Sequence, residues 1–189
     1  MTTPEPDAQS DDALMLAFAA GDEAAFATLY QRHRGPLYRY FLRQLPRAEA
    51  DDCFQALWLK LIRQAARYQP SGAFASFAFT IAHSVLMDHH RRRGRLAEVA
   101  LDDAGADAEL TDDGLALEQA ADGAALRDRL LALLQALPFH QREAWVLRQE
   151  AAMSVADIAA VTGTTVEGVR SRLRYATSKL KAGLSRHVR

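Results

Sequence analysis

From Leu96 to Gly123 the chain carries nine acidic residues and neither a lysine nor an arginine. Its Ala, Asp and Gly content offers little apolar surface to bury, and like charges repel, so this stretch reads as a flexible connector with possible helix at its C-terminal end. A chain of 189 residues interrupted there is expected to form two small units rather than one continuous core. The sign of charge reverses on both sides. Arg91, Arg92, Arg93 and Arg95 precede the connector, and Arg170 to Arg189 hold seven basic residues and no acid. The net charge of −1, from 23 basic against 24 acidic side chains, hides that segregation.

Hydrophobic spacing on either side is helical. After a proline-containing start expected to be disordered over residues 1–9, Ser10 or Asp11 can cap a helix through Phe18, and Gly21 punctuates it. Asp22 opens a helix in which Phe26, Leu29 and Tyr30 share a face. Gly35-Pro36 is read as a break before a third helix with Leu37, Tyr40, Phe41 and Leu45, ended by Pro46. Phe54, Leu57, Trp58 and Leu61 repeat at three and four, predicting a long helix from about Glu49 to Arg67. The turn cluster Tyr68-Gln69-Pro70-Ser71-Gly72 precedes a helix from Phe74 to about Arg93 that buries Phe74, Phe77, Ile81 and Val85. Beyond the connector, Leu126, Leu130, Leu133, Leu134 and Leu137 form a stripe ending at Pro138, and a further helix runs to about Gln149. Strand-like alternation is nowhere sustained. The fold class is all-α, in two small helical domains joined by a flexible acidic linker.

Cys53 is the single cysteine, so a disulfide framework or cysteine-based metal site within one chain is excluded. No apolar run reaches the ~20 residues of a membrane span, and the start MTTPEPDAQSDD is acidic where a signal peptide is basic and then apolar. No direct membrane insertion and a cytoplasmic location are expected. His83, His89, His90 and Asp88 raise the possibility of an enzyme or metal site. None of those histidines stands at the i, i+4 spacing of a helical metal pair, and no Gly-rich phosphate loop or nucleophile elbow is present. The chain is therefore read as a non-enzyme without cofactor or metal.

The segment SVADIAAVTGTTVEGVRSRLRYATSKLK reads as a helix-turn-helix. Ser154 caps a short helix containing Val155, Ile158 and Ala159, Gly163 suits a left-handed turn, and Thr165 caps the second helix. In that helix Val169, Leu173, Ala176 and Leu180 repeat at four, three and four, leaving Glu167, Arg170, Ser171, Arg174 and Lys179 largely on other faces. A helix of this kind fits the major groove, where Arg can bond guanine bidentately, Glu167 can accept from cytosine, and Thr164, Thr165 and Ser171 can bond phosphates or bases. Arg170, Arg172 and Arg174 supply the charge, and Gly168 and Tyr175 complete the candidate surface.

The blocks AAGDEAAFATLYQRHRGPLYRYFLRQL, EADDCFQALWLKL, FASFAFTIAHSVLMDHHRRR and LPFHQREAWVLRQ, followed by the helix-turn-helix, resemble in order and spacing the extracytoplasmic-function group of sigma-70 family sigma factors. The resemblance covers about residues 11–95 and 120–185. It implies region 2 over residues 10–95, an acidic linker over 96–119 and region 4 over 120–189. It also implies that Asp51, Asp52, Gln55 and Trp58 contact the clamp helices of the largest subunit of core RNA polymerase, and that the linker threads the active-site cleft and RNA exit path, where its charge resembles that of RNA. Promoter DNA would be read at the minus-35 element by the helix-turn-helix. The minus-10 element would be read as unwound strand with a captured base, by Tyr68, Gln69, Ser76, His83 and Ser84 together with Met87, Asp88, His89, Arg91 and Arg92. The second-largest polymerase subunit and an anti-sigma factor are the further partners implied.

Three places depart from the family pattern: Phe77 stands where Trp is usual, His83-Ser84 where an Arg-Asn pair is usual, and Ala56-Leu57 where an acidic residue followed by Thr or Val is usual. The rival reading is a regulator that binds duplex DNA as a dimer through its C-terminal unit without polymerase. It accounts for the helix-turn-helix but leaves the upstream arginine cluster and the acidic connector without a role.

Overall fold

A computed structural model describes residues 9–70, 74–94 and 123–185, and every regular element among them is helical. Eight α-helices follow in order: α1 (Asp11–Ala19), α2 (Glu23–Leu42), α3 (Arg47–Gln64), α4 (Phe74–Arg92), α5 (Gly123–Gln135), α6 (Phe139–Glu150), α7 (Val155–Thr162) and α8 (Val166–Ser185), with a 3₁₀ turn at Ala65–Arg67 after α3. Residues 1–8 of the start expected to be disordered and the whole of the acidic linker over 96–119 lie outside the described residues.

Local chemistry explains the boundaries. Ser10 accepts the Ala13 amide at 3.2 Å, and Asp22 accepts those of Ala24 and Ala25 at 2.9 and 3.2 Å, so each helix starts on a side chain that satisfies an otherwise unpaired N–H. Between them Gly21 takes φ +105°, a conformation costly for a residue with a Cβ.

The expected break at Gly35-Pro36 does not occur: α2 runs unbroken from Glu23 to Leu42 with Pro36 inside it. Proline removes one backbone bond and costs about 3 kcal/mol in a helix interior. Leu29 before it and Leu37, Tyr40 and Phe41 after it are all fully buried along one side, and keeping them in register offsets the local defect. Pro46 does not end this helix either; it stands at the N-terminal cap of α3.

Helices α1 to α4 pack as one bundle, α2 lying against α1, α3 and α4. Its aromatic centre joins Phe26, Tyr30, Phe54 and Trp58, whose rings lie 4.9 to 6.4 Å apart between centroids where they are paired. In the second bundle α8 packs against α5, α6 and α7. Gly183 makes the α5 contact possible, since a Cβ there would stand 2.4 Å from Leu133 Cδ2. Helix α6 is buried nearly all round, from Gln141 to Leu147 apart from Arg142, because the two bundles meet across it. It touches α2, while α7 touches α4.

Candidate nucleic-acid interface

The helix-turn-helix is built as its residues demand. Ser154 and Asp157 form a reciprocal cap, the Ser154 hydroxyl accepting the Asp157 amide and the Asp157 carboxylate accepting the Ser154 amide, each at 3.1 Å. Gly163 then takes φ +64°, with nothing near where a Cβ would be, so backbone conformation and not space requires glycine. Thr165 Oγ1 accepts the Gly168 amide at 3.0 Å and starts α8. Val169, Ala176 and Leu180 are fully buried beneath α8.

That anchoring turns Thr165, Glu167, Arg170 and Lys179 outward. Arg170 and Glu167 are 65% and 79% exposed and pair loosely at 3.4 Å, so either can exchange the other for a nucleic-acid partner at little cost. Thr164, Gly168, Ser171, Arg172, Arg174 and Tyr175 are half-buried at the rim. Arg174 lies over the Tyr175 ring at 5.6 Å, and its Nε and the Tyr175 hydroxyl are enclosed without a hydrogen-bond partner.

The residues expected to read the minus-10 element do not share one surface. Gln69, Ser84, Arg91 and Arg92 are exposed, with Ser76 and Met87 half-covered. Asp88 is held by Lys60 at 3.0 Å and Arg91 at 2.9 Å, and the Lys60 hydrogen bond leads the causes that keep its carboxyl below the usual range. His89 pairs with Glu49 at 2.8 Å. Tyr68 is a core residue: it is buried against Phe74 and Phe77, and burial followed by its hydrogen bond to Asp12 pushes its hydroxyl pKa far up.

His83 turns the other way, into the contact with α6. Its Nδ1 lies 2.7 Å from Glu143 Oε1, and the Tyr40 hydroxyl donates to the same oxygen at 2.6 Å. Burial works against the charged imidazole, but the hydrogen bond and charge of Glu143 outweigh it and raise the His83 pKa. Burial likewise works against the Glu143 carboxylate, and His83, then Tyr40 and His140, overcome it and hold that pKa below its usual value. Sequence reasoning did not single out Glu143. The signal was present, because Glu143 lies on the α6 stripe with Phe139 and Val146 at spacings of four and three.

On α3, Asp51, Asp52 and Gln55 face solvent beside Leu59 and Ile62, which are 54% and 41% exposed. Trp58 does not join them. It is 6% exposed within the aromatic centre, packed against Phe26 and Tyr30. Cys53 is also buried on α3, and burial pushes its thiol up to about 11, which leaves it protonated at neutral pH. Among the described residues no three His, Cys, Asp or Glu side chains converge as metal ligands, and no helix is long and apolar enough to cross a membrane.

Comparison with known proteins places these features in a family. Residues 29–96 match the model for sigma-70 region 2, and residues 127–180 match that for sigma-70 region 4. The chain is 32% identical to RNA polymerase sigma factor CarQ of Myxococcus xanthus over 170 residues, 88% of this chain and 93% of that protein. It is 32% identical to ECF RNA polymerase sigma factor SigD of Mycobacterium tuberculosis over 180 residues, 90% of this chain and 82% of that one. Among solved structures, CnrH in complex with the cytosolic domain of CnrY superimposes with a TM-score of 0.67 at 24% identity, covering 94% of this chain and 98% of that one. The sigma factor RpoE of Bartonella quintana, in complex with the anti-sigma factor NepR, superimposes at 0.66 with 22% identity, covering 85% of this chain and 96% of that one. The chain belongs to the extracytoplasmic-function group of sigma-70 RNA polymerase sigma factors.

Proposed function

We propose that residues 10–95 dock on core RNA polymerase and read the opened minus-10 element, and that residues 120–189 read the minus-35 element as duplex. A sigma factor directs core polymerase to promoters, and this chain's part in that task is recognition without covalent chemistry of its own. The observation that carries the assignment is the outward face of α8, where Arg170, Lys179, Glu167 and Thr165 stand exposed on a helix fixed by two caps and a glycine turn. The outer face of α3, with Asp51, Asp52, Gln55, Leu59 and Ile62, combines acids and exposed apolar side chains and suits a basic partner helix. On the minus-10 side Ser84, Arg91 and Arg92 of α4 and Gln69 are the residues exposed to meet a strand.

The acidic residues 96–119 are proposed to follow the path of the transcript through polymerase, since both present negative charge to the same cations. CnrH and RpoE are both described in complexes, with CnrY and with the anti-sigma factor NepR respectively. An anti-sigma factor is the corresponding partner proposed here, and the cytoplasm the corresponding place. The dimeric-regulator reading accounts for the helix-turn-helix alone and is not favoured.

Run-off transcription with purified core polymerase on genomic fragments tests the proposal. Discrete start sites that appear only when the protein is added, preceded by shared sequence at minus-10 and minus-35, are the expected result. A protein that neither joins core polymerase nor changes its start sites would end the assignment.

A further inference from the structure

The contact between the two bundles is polar at its centre and closed to water. Glu143 is 1% exposed, yet it comes from α6 of the second bundle, and both groups on its Oε1 come from the first: Tyr40 on α2 and His83 on α4. Around it Arg39 and Arg43 of α2 pair with Glu150 of α6, and Arg142 Nε donates to Gln44 Oε1 at 2.9 Å. A carboxylate carried this far from water needs partners. If the bundles part, Glu143 regains water and His83 loses its anion, so this one side chain links the protonation and exposure of α4 to the position of the second bundle.

The contact falls on one side of α4. His83 and His90 lie on a single stripe, and they meet Glu143 and Phe139 of α6 in turn. The recognition face of α8 points elsewhere and stays open, as the exposure of Arg170 and Glu167 shows. Minus-10 and minus-35 elements are separated by about 25 base pairs, or about 85 Å of duplex at ~3.4 Å per pair. A compact body of 189 residues has a radius of gyration of about 16 Å and a width of roughly 40 Å. One body with its bundles in contact is too small to place both readers on one promoter.

We propose that Glu143 is the latch of a closed state in which the second bundle covers the His83 stripe of α4, and that the latch must release before the two bundles can occupy one promoter. The consequence for promoters rests on the functional reading given above; the latch itself rests on the contact alone. The closed state covers His83 and His90 while leaving the α8 cations and the exposed Ser84, Arg91 and Arg92 of α4 accessible, so what the latch controls is the separation of the two bundles.

The test uses the full chain with spin labels at Gln31→Cys and Lys181→Cys, both exposed and outside the contact, with buried Cys53 retained and circular dichroism as the check of folding. Pulsed electron resonance should give one short distance in the parent protein. Glu143→Gln, which keeps shape and removes charge, should shift several-fold more of the population to longer distances while helicity is unchanged, and core polymerase should do the same to the parent. A folded Glu143→Gln protein with the parental distance distribution would overturn the latch, as would a parent that is already spread over long distances by itself. A latch that behaves as expected in a protein that core polymerase never joins would leave the closed state standing and remove the promoter reading instead.

Discussion

Two polar helix faces in this molecule have nearly opposite fates. On α8 Glu167, Arg170 and Lys179 look outward, and Arg170 and Glu167 keep only a loose contact with each other. On α4 the stripe of His83 and His90 is taken up by α6, where His83 finds a fully buried carboxylate. The difference shows that residue type does not decide whether a basic or titratable helix face awaits a ligand. What decides it is whether another part of the same chain already supplies the partner. A buried pair is also unforgiving, because either member left alone is a charge or donor without solvation, whereas exposed residues lose little when a neighbour is removed.

The most damaging way to test that contrast is His83→Ala. It leaves Glu143 buried with Tyr40 alone, and the expected cost to the packed bundles is about 3–5 kcal/mol, read from the first transition in urea denaturation. A change below ~0.5 kcal/mol would mean that the α4 face is as tolerant as α8. Arg170→Ala should be silent in the same denaturation experiment. Its effect should appear on DNA: about 1–3 kcal/mol and relaxed sequence preference if the side chain reads a base, or uniform weakening with a salt slope lower by about 1 if it meets a phosphate.

Thr165→Ala removes the cap that aims α8 without touching the bundle contact. A loss of about 1 kcal/mol in stability of the second bundle is expected, with the label distance between bundles unchanged. If the distance changes, the two faces are coupled and the contrast drawn above is too sharp.

The smallest effect is that of pH, and its sign follows from the groups around Glu143: Tyr40 on α2, His83 on α4 and His140 on α6 itself. His83 has a raised pKa in the closed state, so its contribution is complete below its ordinary value of 6.5 and is lost as pH rises through the raised value. Glu143 has a lowered pKa, so its contribution is complete above its ordinary value of 4.5 and is lost as pH falls through the lowered one. Closure should be firmest between those two ordinary values and weaken in alkaline solution. The spin-label distances between pH 5 and 9 check this, and a closed fraction that grew with alkalinity would reverse the assignment of charge to the pair.

Much of the architecture was legible from the residues because its causes are local. Ser10, Asp22 and Ser154 are caps by virtue of their side-chain oxygens, Gly163 sits where φ is positive, and the α8 stripe of Val169, Ala176 and Leu180 is a matter of spacing. Pro36 was misread because its local penalty is real but smaller than the packing that overrides it. The core placement of Trp58 and Tyr68 was not legible for a related reason. An aromatic residue with one polar atom suits both a core and a binding surface, and only the surrounding helices show which it occupies.

The sequence by itself determined an all-helical chain in two parts, a capped helix-turn-helix near the C-terminus, and an acidic stretch between the bundles. Those follow from periodicity, capping and charge, each acting over a few residues. Only the tertiary structure decided that Tyr40, His83 and Glu143 meet, because 103 residues separate the first from the last and 60 the second from the last. No local rule specifies such a pairing. It exists because burying α6 between the bundles removes apolar surface from water, and the carboxylate that comes with that helix must find donors where it lands.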